Sequence, residues 1–200
     1  MANPALNAIG FILGILFNLY ATVVAVRFVM QTVRADYYNP LAQGVVRVTD
    51  PLLIPLRRVI PSIKRYDTAS LVLCFGILLL KLLIFKLLSL GYVPALGQSI
   101  LVSAVPIAKL VILALLDLIH QLFNVFIFAL IIQAVLSWIP GAAGNPVQSL
   151  VASISEPVLR PLRKLLPPMG GLDLTVFFTI IGLFALRIFL LGTLQQLFGI

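Results

Sequence analysis

The sequence predicts an all-α membrane protein made of two tandem helix-hairpin repeats. It has four transmembrane helices, or five if one broken segment also crosses, and short amphipathic interfacial helices in the motif loops. Three observations carry that prediction. Hydrophobic residues make up 62% of the 200-residue chain, charged residues only 10%, and mean hydropathy is +1.16. A soluble domain, in which roughly half the residues are apolar, has no core large enough to hide such a surface. Segments 7–33, 68–90, 110–139 and 174–196 are each long and apolar enough, as helix, to cross a hydrocarbon layer of about 30 Å. The chain also repeats itself without a gap: NPLAQGVVRVTDPLLIPLRRVIPSIKRYD from Asn39 is answered, 106 positions on, by NPVQSLVASISEPVLRPLRKLLPPMGGLD from Asn145.

That offset superimposes the first apolar segment on the third and the second on the fourth. The first repeat is therefore read as 1–90 with its motif loop at 34–67, and the second as 110–200 with its motif loop at 140–173; 91–109 connects them. The first apolar segment has no basic n-region and no small-residue cleavage site, so it reads as a retained span rather than a signal peptide. Tyr37 and Tyr38 follow it and Trp138 closes the third segment, at the depth where amphipathic rings settle. Cys74 is the single cysteine, which excludes an intramolecular disulfide, and it reads as a small packing residue.

Within each motif, Asn39 and Asn145 stand where an N-cap belongs, and Pro40 and Pro146 suit the first helical position, where a missing N–H costs nothing. Leu41, Val45, Val48 and Leu52, and in the second copy Val147, Leu150, Val151 and Ile154, recur at helical spacing and give each helix an apolar face suited to a membrane surface. Thr49-Asp50-Pro51 and Ser155-Glu156-Pro157 are expected to start a second short helix at an angle to the first. Pro55 and Pro161 then fall near its first turn, and Pro61 and Pro167 end it. Arg57-Arg58 and Arg163-Lys164 lie toward its C-terminal end, where cations complement the helix dipole. Asp67 and Asp173 are placed to cap the spans that follow.

The segment 87–108 is apolar but broken by Gly91, Pro94, Gly97 and Pro106, and reads as a connection that turns back, leaving both motif loops on one face. A fifth span would instead give an inverted repeat. Charge arbitrates. The first motif loop carries Arg34, Arg47, Arg57, Arg58, Lys64 and Arg65, and the second carries Arg160, Arg163 and Lys164. Only Lys86 and Lys109 flank the connection, so the positive-inside rule puts the motif loops in the cytoplasm of a multi-pass protein of the bacterial inner membrane. The net charge of +8 follows from basic loops facing anionic lipid headgroups, with no nucleic-acid partner expected.

The duplication pairs polar residues inside the spans too. Asn18 matches Asn124, Lys81 matches Arg187, and Arg27 matches Gln133. At about 1.5 Å of rise per residue, the first four lie roughly 20 Å from the motif ends of their helices and can share one layer, with Asp117 and His120 slightly beyond it. Lys81 and Arg187 must then face the bundle interior, snorkel outward, or pair with Asp117. Such a layer can fix helix packing through hydrogen bonds, or it can relay protons or an ion. One histidine without a second ligand makes a poor metal or haem site, so no metal and no cofactor is expected. No Gly-rich phosphate loop, no metal-spaced cluster and no nucleophile with a nearby base is present, which argues against an enzyme.

The motif NPL…TDPLL.PLRRVIP…D followed by an apolar helix, present twice, resembles the bacterial YggT family of integral membrane proteins and its plastid relatives. The first copy, YYNPLAQGVVRVTDPLLIPLRRVIP, is the closer match; the second has Ser137-Trp138 before the motif and EPVLRPLRKLLPPMGGLD within it. The resemblance implies links to osmotic stress tolerance with ion uptake, to nucleoid distribution and cell division, and in plastids to assembly of a haem-containing cytochrome b. It supplies no catalytic residues, and Gln133 in place of an arginine departs from a symmetric pattern.

The expected function is a non-enzymatic scaffold or assembly factor. Its motif residues Asn39, Pro40, Asp50, Pro51, Pro55, Arg57, Arg58 and Asp67, with Asn145, Pro146, Glu156, Pro157, Pro161, Arg163, Lys164 and Asp173, bind a protein partner or anionic lipid. The bland counterpart is a rigid re-entry loop whose arginines merely touch headgroup phosphates. The alternative function is a small potassium or proton channel or transporter, as a homo-oligomer, using Asn18, Lys81, Asp117, His120, Asn124 and Arg187.

Overall fold

The computed structural model describes residues 4–63, 66–90, 92–139, 144–164 and 174–200. In chain order the elements are α1 (Pro4–Val33), α2 (Pro40–Val59), α3 (Thr68–Leu87), β1 (Tyr92–Ala95), β2 (Gln98–Leu101), a 3-10 turn (Val102–Ala104), α4 (Ile107–Ser137), α5 (Pro146–Arg163) and α6 (Leu174–Phe198). Four of the described helices, α1, α3, α4 and α6, are long and apolar enough to cross a membrane. Their outward faces carry Phe11, Leu16, Phe177, Ile188 and Phe189, as lipid-facing helix surfaces do.

The spanning helices pack through small residues. Ala21 and Ala25 of α1, Cys74 of α3 and Ala129 of α4 are almost fully buried in one cluster with Val24, Met30 and Leu78. Small side chains let helix backbones approach closely, which is how helices associate where lipid tails are as apolar as leucine. Helices α3 and α4 are the more buried pair, flanked by α1 and α6. The ends of α1 and α3 are made by a left-handed residue, Arg34 (φ 57°) and Ser89 (φ 49°), after which Ala35 N–H reaches Met30 O at 2.9 Å and Leu90 N–H reaches Phe85 O at 3.1 Å.

The motif loops differ from the sequence expectation. Each holds one continuous helix, α2 running through Pro51 and Pro55 and α5 through Pro157 and Pro161, instead of two short helices at an angle. The reason lies in the spacing. Prolines four apart remove hydrogen bonds along one stripe of the helix, and all four prolines are exposed, so that stripe faces away from the bundle. The inner stripe, with Ala42, Thr49 and Leu53 in α2 and Leu150, Val151, Ile154 and Leu159 in α5, stays intact and buried. Asn39 and Asn145 do cap these helices, accepting from Leu41 N–H and Val147 N–H, each at 2.9 Å.

The connection between the repeats is a β-hairpin, a form that the expected turn-back left unspecified. Antiparallel β1 and β2 pair Tyr92 with Leu101 and Ala95 with Gln98, around the left-handed pair Leu96 (φ 57°) and Gly97 (φ 76°). Val93, Ala95 and Val102 of this segment are buried with Leu82 and Phe85 of α3 and with Leu110 and Leu113 of α4. Gly14 of α1 makes the hairpin's approach possible, because a Cβ there would lie 2.6 Å from Pro94 Cδ. The chain therefore returns, and α2 and α5 meet at one end of the bundle, where Asn39 Nδ2 donates to Pro146 O at 2.6 Å and to Ser149 Oγ at 2.8 Å.

Candidate functional site

Within the bundle, the polar residues form two related knots. Lys81 of α3 has a side chain with no solvent exposure, and its Nζ donates to Asn18 Oδ1 at 2.7 Å, Asp117 Oδ2 at 2.7 Å and Pro94 O at 2.9 Å. Three acceptors satisfy the three protons of an ammonium, so the charge is held without water. The other Asp117 oxygen accepts from Leu96 N–H at 3.0 Å, and Asn18 Nδ2 donates to Pro94 O at 3.1 Å. Asp117 thereby neutralises Lys81 and holds the strained turn of the hairpin.

In the second repeat, Arg187 Nη1 donates to Asn124 Oδ1 at 2.6 Å, the same cation-to-asparagine bond at the equivalent positions. Its guanidinium lies 4.7 Å over the Phe184 ring, a cation–π contact in place of a carboxylate. His120 lies beside the hairpin turn, where a Cβ on Gly97 would come within 3.0 Å of His120 Cε1. The sequence identified Asn18, Lys81, Asp117, His120, Asn124 and Arg187; it missed the backbone groups of Pro94 and Leu96, and also Thr22 and Gln121, which join α1 to α4 at 3.1 Å. Only the proline and glycine of 87–108 hinted that backbone would be brought in there.

At the motif end, the structure divides the candidate residues between internal ties and free surface. Arg27 reaches from α1 to α2, pairing with Asp50 at 2.8 Å and donating to Thr49 Oγ1 at 2.8 Å and Val46 O at 2.9 Å. Arg57 turns inward to Gln31 at 3.1 Å and to the buried Asp67 carboxylate. Asp67 in turn caps α3 by accepting from the Ser70 hydroxyl at 2.6 Å. Burial alone would raise the Asp67 carboxyl, but the Arg57 guanidinium and the Ser70 bonds outweigh it and hold the group below the usual carboxylate range. Asp50 and Arg57 thus tie elements of the chain together, while each side chain stays about a third exposed, at 32% and 33%.

In the second copy Glu156 pairs at the surface with Arg163 at 3.1 Å. Asp173, Lys64, Arg65 and Pro167 lie outside the described residues. Arg47 and Arg58 of α2 and Arg160, Arg163 and Lys164 at the end of α5 are exposed, beside exposed Leu41, Val48, Leu52 and Val59. Pro40, Pro51, Pro55, Pro157 and Pro161 are exposed as well, which leaves them shaping the helices. Among the described residues, no group of three His, Cys, Asp or Glu side chains could hold a metal ion.

The CCB3/YggT family profile matches residues 6–88 and 112–194, the same two units that the duplication defines. The chain is 42% identical over 189 residues to an uncharacterized protein of Pseudomonas aeruginosa, covering 94% of this chain and 91% of that one. It is 35% identical over 178 residues to a protein encoded in the proC 3′ region of Vibrio alginolyticus, covering 89% and 90%. The uncharacterized protein YggT of Escherichia coli is 31% identical over 190 residues, covering 95% and 93%. No solved structure matches. With both repeats matched and relatives similar along nearly their whole length, this chain belongs to the CCB3/YggT family.

Proposed function

We propose that this chain is a non-enzymatic scaffold of the bacterial inner membrane, whose paired motif helices form one basic cytoplasmic platform that holds anionic phospholipid headgroups. The observation that carries this reading is the side-by-side placement of α2 and α5, tied by Asn39 to Pro146 and Ser149, with basic and apolar side chains together on the outside. An amphipathic helix of that composition sits at the headgroup boundary, where each basic residue contributes about 1 kcal/mol near an anionic surface. The polar layer supports a scaffold over a channel. Lys81 and Asp117 neutralise each other, and the hairpin's own backbone fills their remaining bonds.

The test is reversal of Arg47, Arg58, Arg160 and Lys164 to glutamate, with the protein in nanodiscs with and without phosphatidylglycerol. The wild type should gain thermal stability from the anionic lipid, and the variant should insert yet lose that gain. An equal response of both proteins contradicts the platform. Retention of the lipid response together with a protein crosslinked to α2 in cells would replace the lipid by a protein partner. Potassium or proton flux in liposomes that depends on Lys81 and Arg187 would establish the channel instead.

A further inference from the structure

A cavity of about 390 Å³ lies between α1, the hairpin turn and α4, away from the motif platform and independent of its role. Its polar lining is Asn18, Thr22, Asp117, His120, Gln121 and Asn124, and its outer wall is the lipid-facing side of α1 at Phe11, Ile15 and Leu19. The volume falls within the range of small-molecule pockets, roughly 300–1,000 Å³. His120 is only 7% exposed, and its Nδ1 has no hydrogen-bond partner among the described residues. A buried ring nitrogen without a partner is costly unless something supplies one.

The chemistry of the lining limits the ligand. Lys81 and Asp117 cancel each other, and Arg187 is engaged by Asn124 and Phe184, so no free charge faces an ion. With its oxygen taken by Arg187, Asn124 still offers amide N–H groups, and a neutral imidazole offers one N–H and one bare nitrogen. Carbonyl oxygens are the natural complement. Counting about 1.5 Å per residue, His120 lies roughly 20 Å from the start of α4 and roughly 25 Å from its end, within the hydrocarbon and out of reach of a phosphate headgroup. Gly97 keeps the mouth open, since any Cβ there would press on the imidazole.

We propose that this cavity binds the carbonyl-bearing ring of a membrane-dissolved isoprenoid quinone, with the tail leaving past Ile15 and Leu19 into the lipid. The ring is neutral, dissolves at that depth, and carries carbonyl acceptors on an otherwise apolar body.

The experiment titrates the full-length protein, in nanodiscs of neutral phospholipid, with a short-chain azido-ubiquinone photolabel, and maps the labelled peptides by mass spectrometry. Saturable labelling of α1 and α4 around Ile15 and His120 is expected, displaced by decyl-ubiquinone. His120→Leu and Asn124→Leu should each weaken it at least tenfold. Ile15→Trp, placed on the lipid-facing surface where it leaves the helix packing untouched, should block the mouth and lower labelling similarly. Asn145→Ala, at the motif platform, should leave labelling unchanged. Non-saturable labelling, labelling insensitive to both His120→Leu and Ile15→Trp, or displacement by diacylglycerol as effective as by decyl-ubiquinone would overturn the assignment.

Discussion

In the first repeat, Arg27 bolts the span to the motif helix through Asp50, Thr49 and the Val46 carbonyl; at the same positions of the second repeat, Gln133 and Ser155 each leave a buried oxygen without a partner, and Glu156 turns away to Arg163. A similar contrast runs through the membrane layer. Lys81 is closed by Asp117 and the hairpin, whereas Arg187 rests on Asn124 and a phenylalanine ring. The hairpin explains the difference. It packs over Gly14 of the first repeat, where the second repeat has His120, so hairpin backbone completes the bonds of the first copy of the layer and reaches none of the second, while both copies border the same cavity. Duplicated helices thus keep their frame while their polar positions diverge into a tied half, held by charge, and a half held chiefly by apolar contacts such as Leu130, Leu159 and Val176.

The largest expected effect separates the two membrane knots. Lys81→Met leaves Asp117 buried with one backbone N–H, and should cost about 3–5 kcal/mol in unfolding titrations with mixed dodecyl maltoside and dodecyl sulfate micelles. The double change Lys81→Met with Asp117→Leu should recover most of that loss. Arg187→Met, whose bonded partner is neutral, should cost only about 1–2 kcal/mol. Equal losses at Lys81 and Arg187 would dissolve the distinction between the repeats.

A reciprocal exchange sharpens it at the motif end. Arg27→Gln should destabilise by about 2 kcal/mol, because Asp50 and Thr49 lose a charged donor. Gln133→Arg should be neutral or stabilise by up to about 1 kcal/mol, by giving Glu156 and Ser155 what Arg27 gives the first repeat. A smaller contrast follows at the caps. Asn39→Ala removes a cap and both bonds to the second repeat, for about 1–2 kcal/mol, whereas Asn145→Ala removes a cap alone, for about 0.5–1 kcal/mol.

Acid should act through Asp67. Its folded carboxyl is held below the usual value of about 4, so its contribution is complete above that value and is lost as pH falls through the lowered one. Unfolding measured between about pH 6 and pH 3 should show that loss in the wild type, and Asp67→Asn should flatten it.

Much of this architecture was legible in the sequence. The caps at Asn39 and Asn145 follow from local chemistry, since an asparagine before proline admits few other roles, and the spans follow from uninterrupted apolar length. The motif prolines misled, because a helix break is expected wherever proline appears, yet four-residue spacing confines the damage to one exposed stripe. The hairpin was illegible for a different reason. Its strands are four residues each, and what holds them is Asp117, distant in sequence, and room above Gly14. The Arg27–Asp50 tie left a faint signal, because Arg27, Thr49 and Asp50 change together to Gln133, Ser155 and Glu156 between the copies. Adjacent Arg57 and Arg58 are indistinguishable in sequence; only tertiary packing ties one of the two to Asp67 and leaves the other exposed.

The claim on which the rest depends is that α2 and α5 form one platform on a single side of the membrane. Single cysteines at Ser62, Lys164 and Ala104, in a variant carrying Cys74→Ala, can be challenged with a membrane-impermeant maleimide in intact cells and again after permeabilisation. Cysteines at Ser62 and Lys164 should both stay unlabelled until the cells are opened, while the one at Ala104, exposed in the turn before α4, should react at once. Labelling of one motif position but not the other in intact cells would place α2 and α5 on opposite faces and contradict the shared platform.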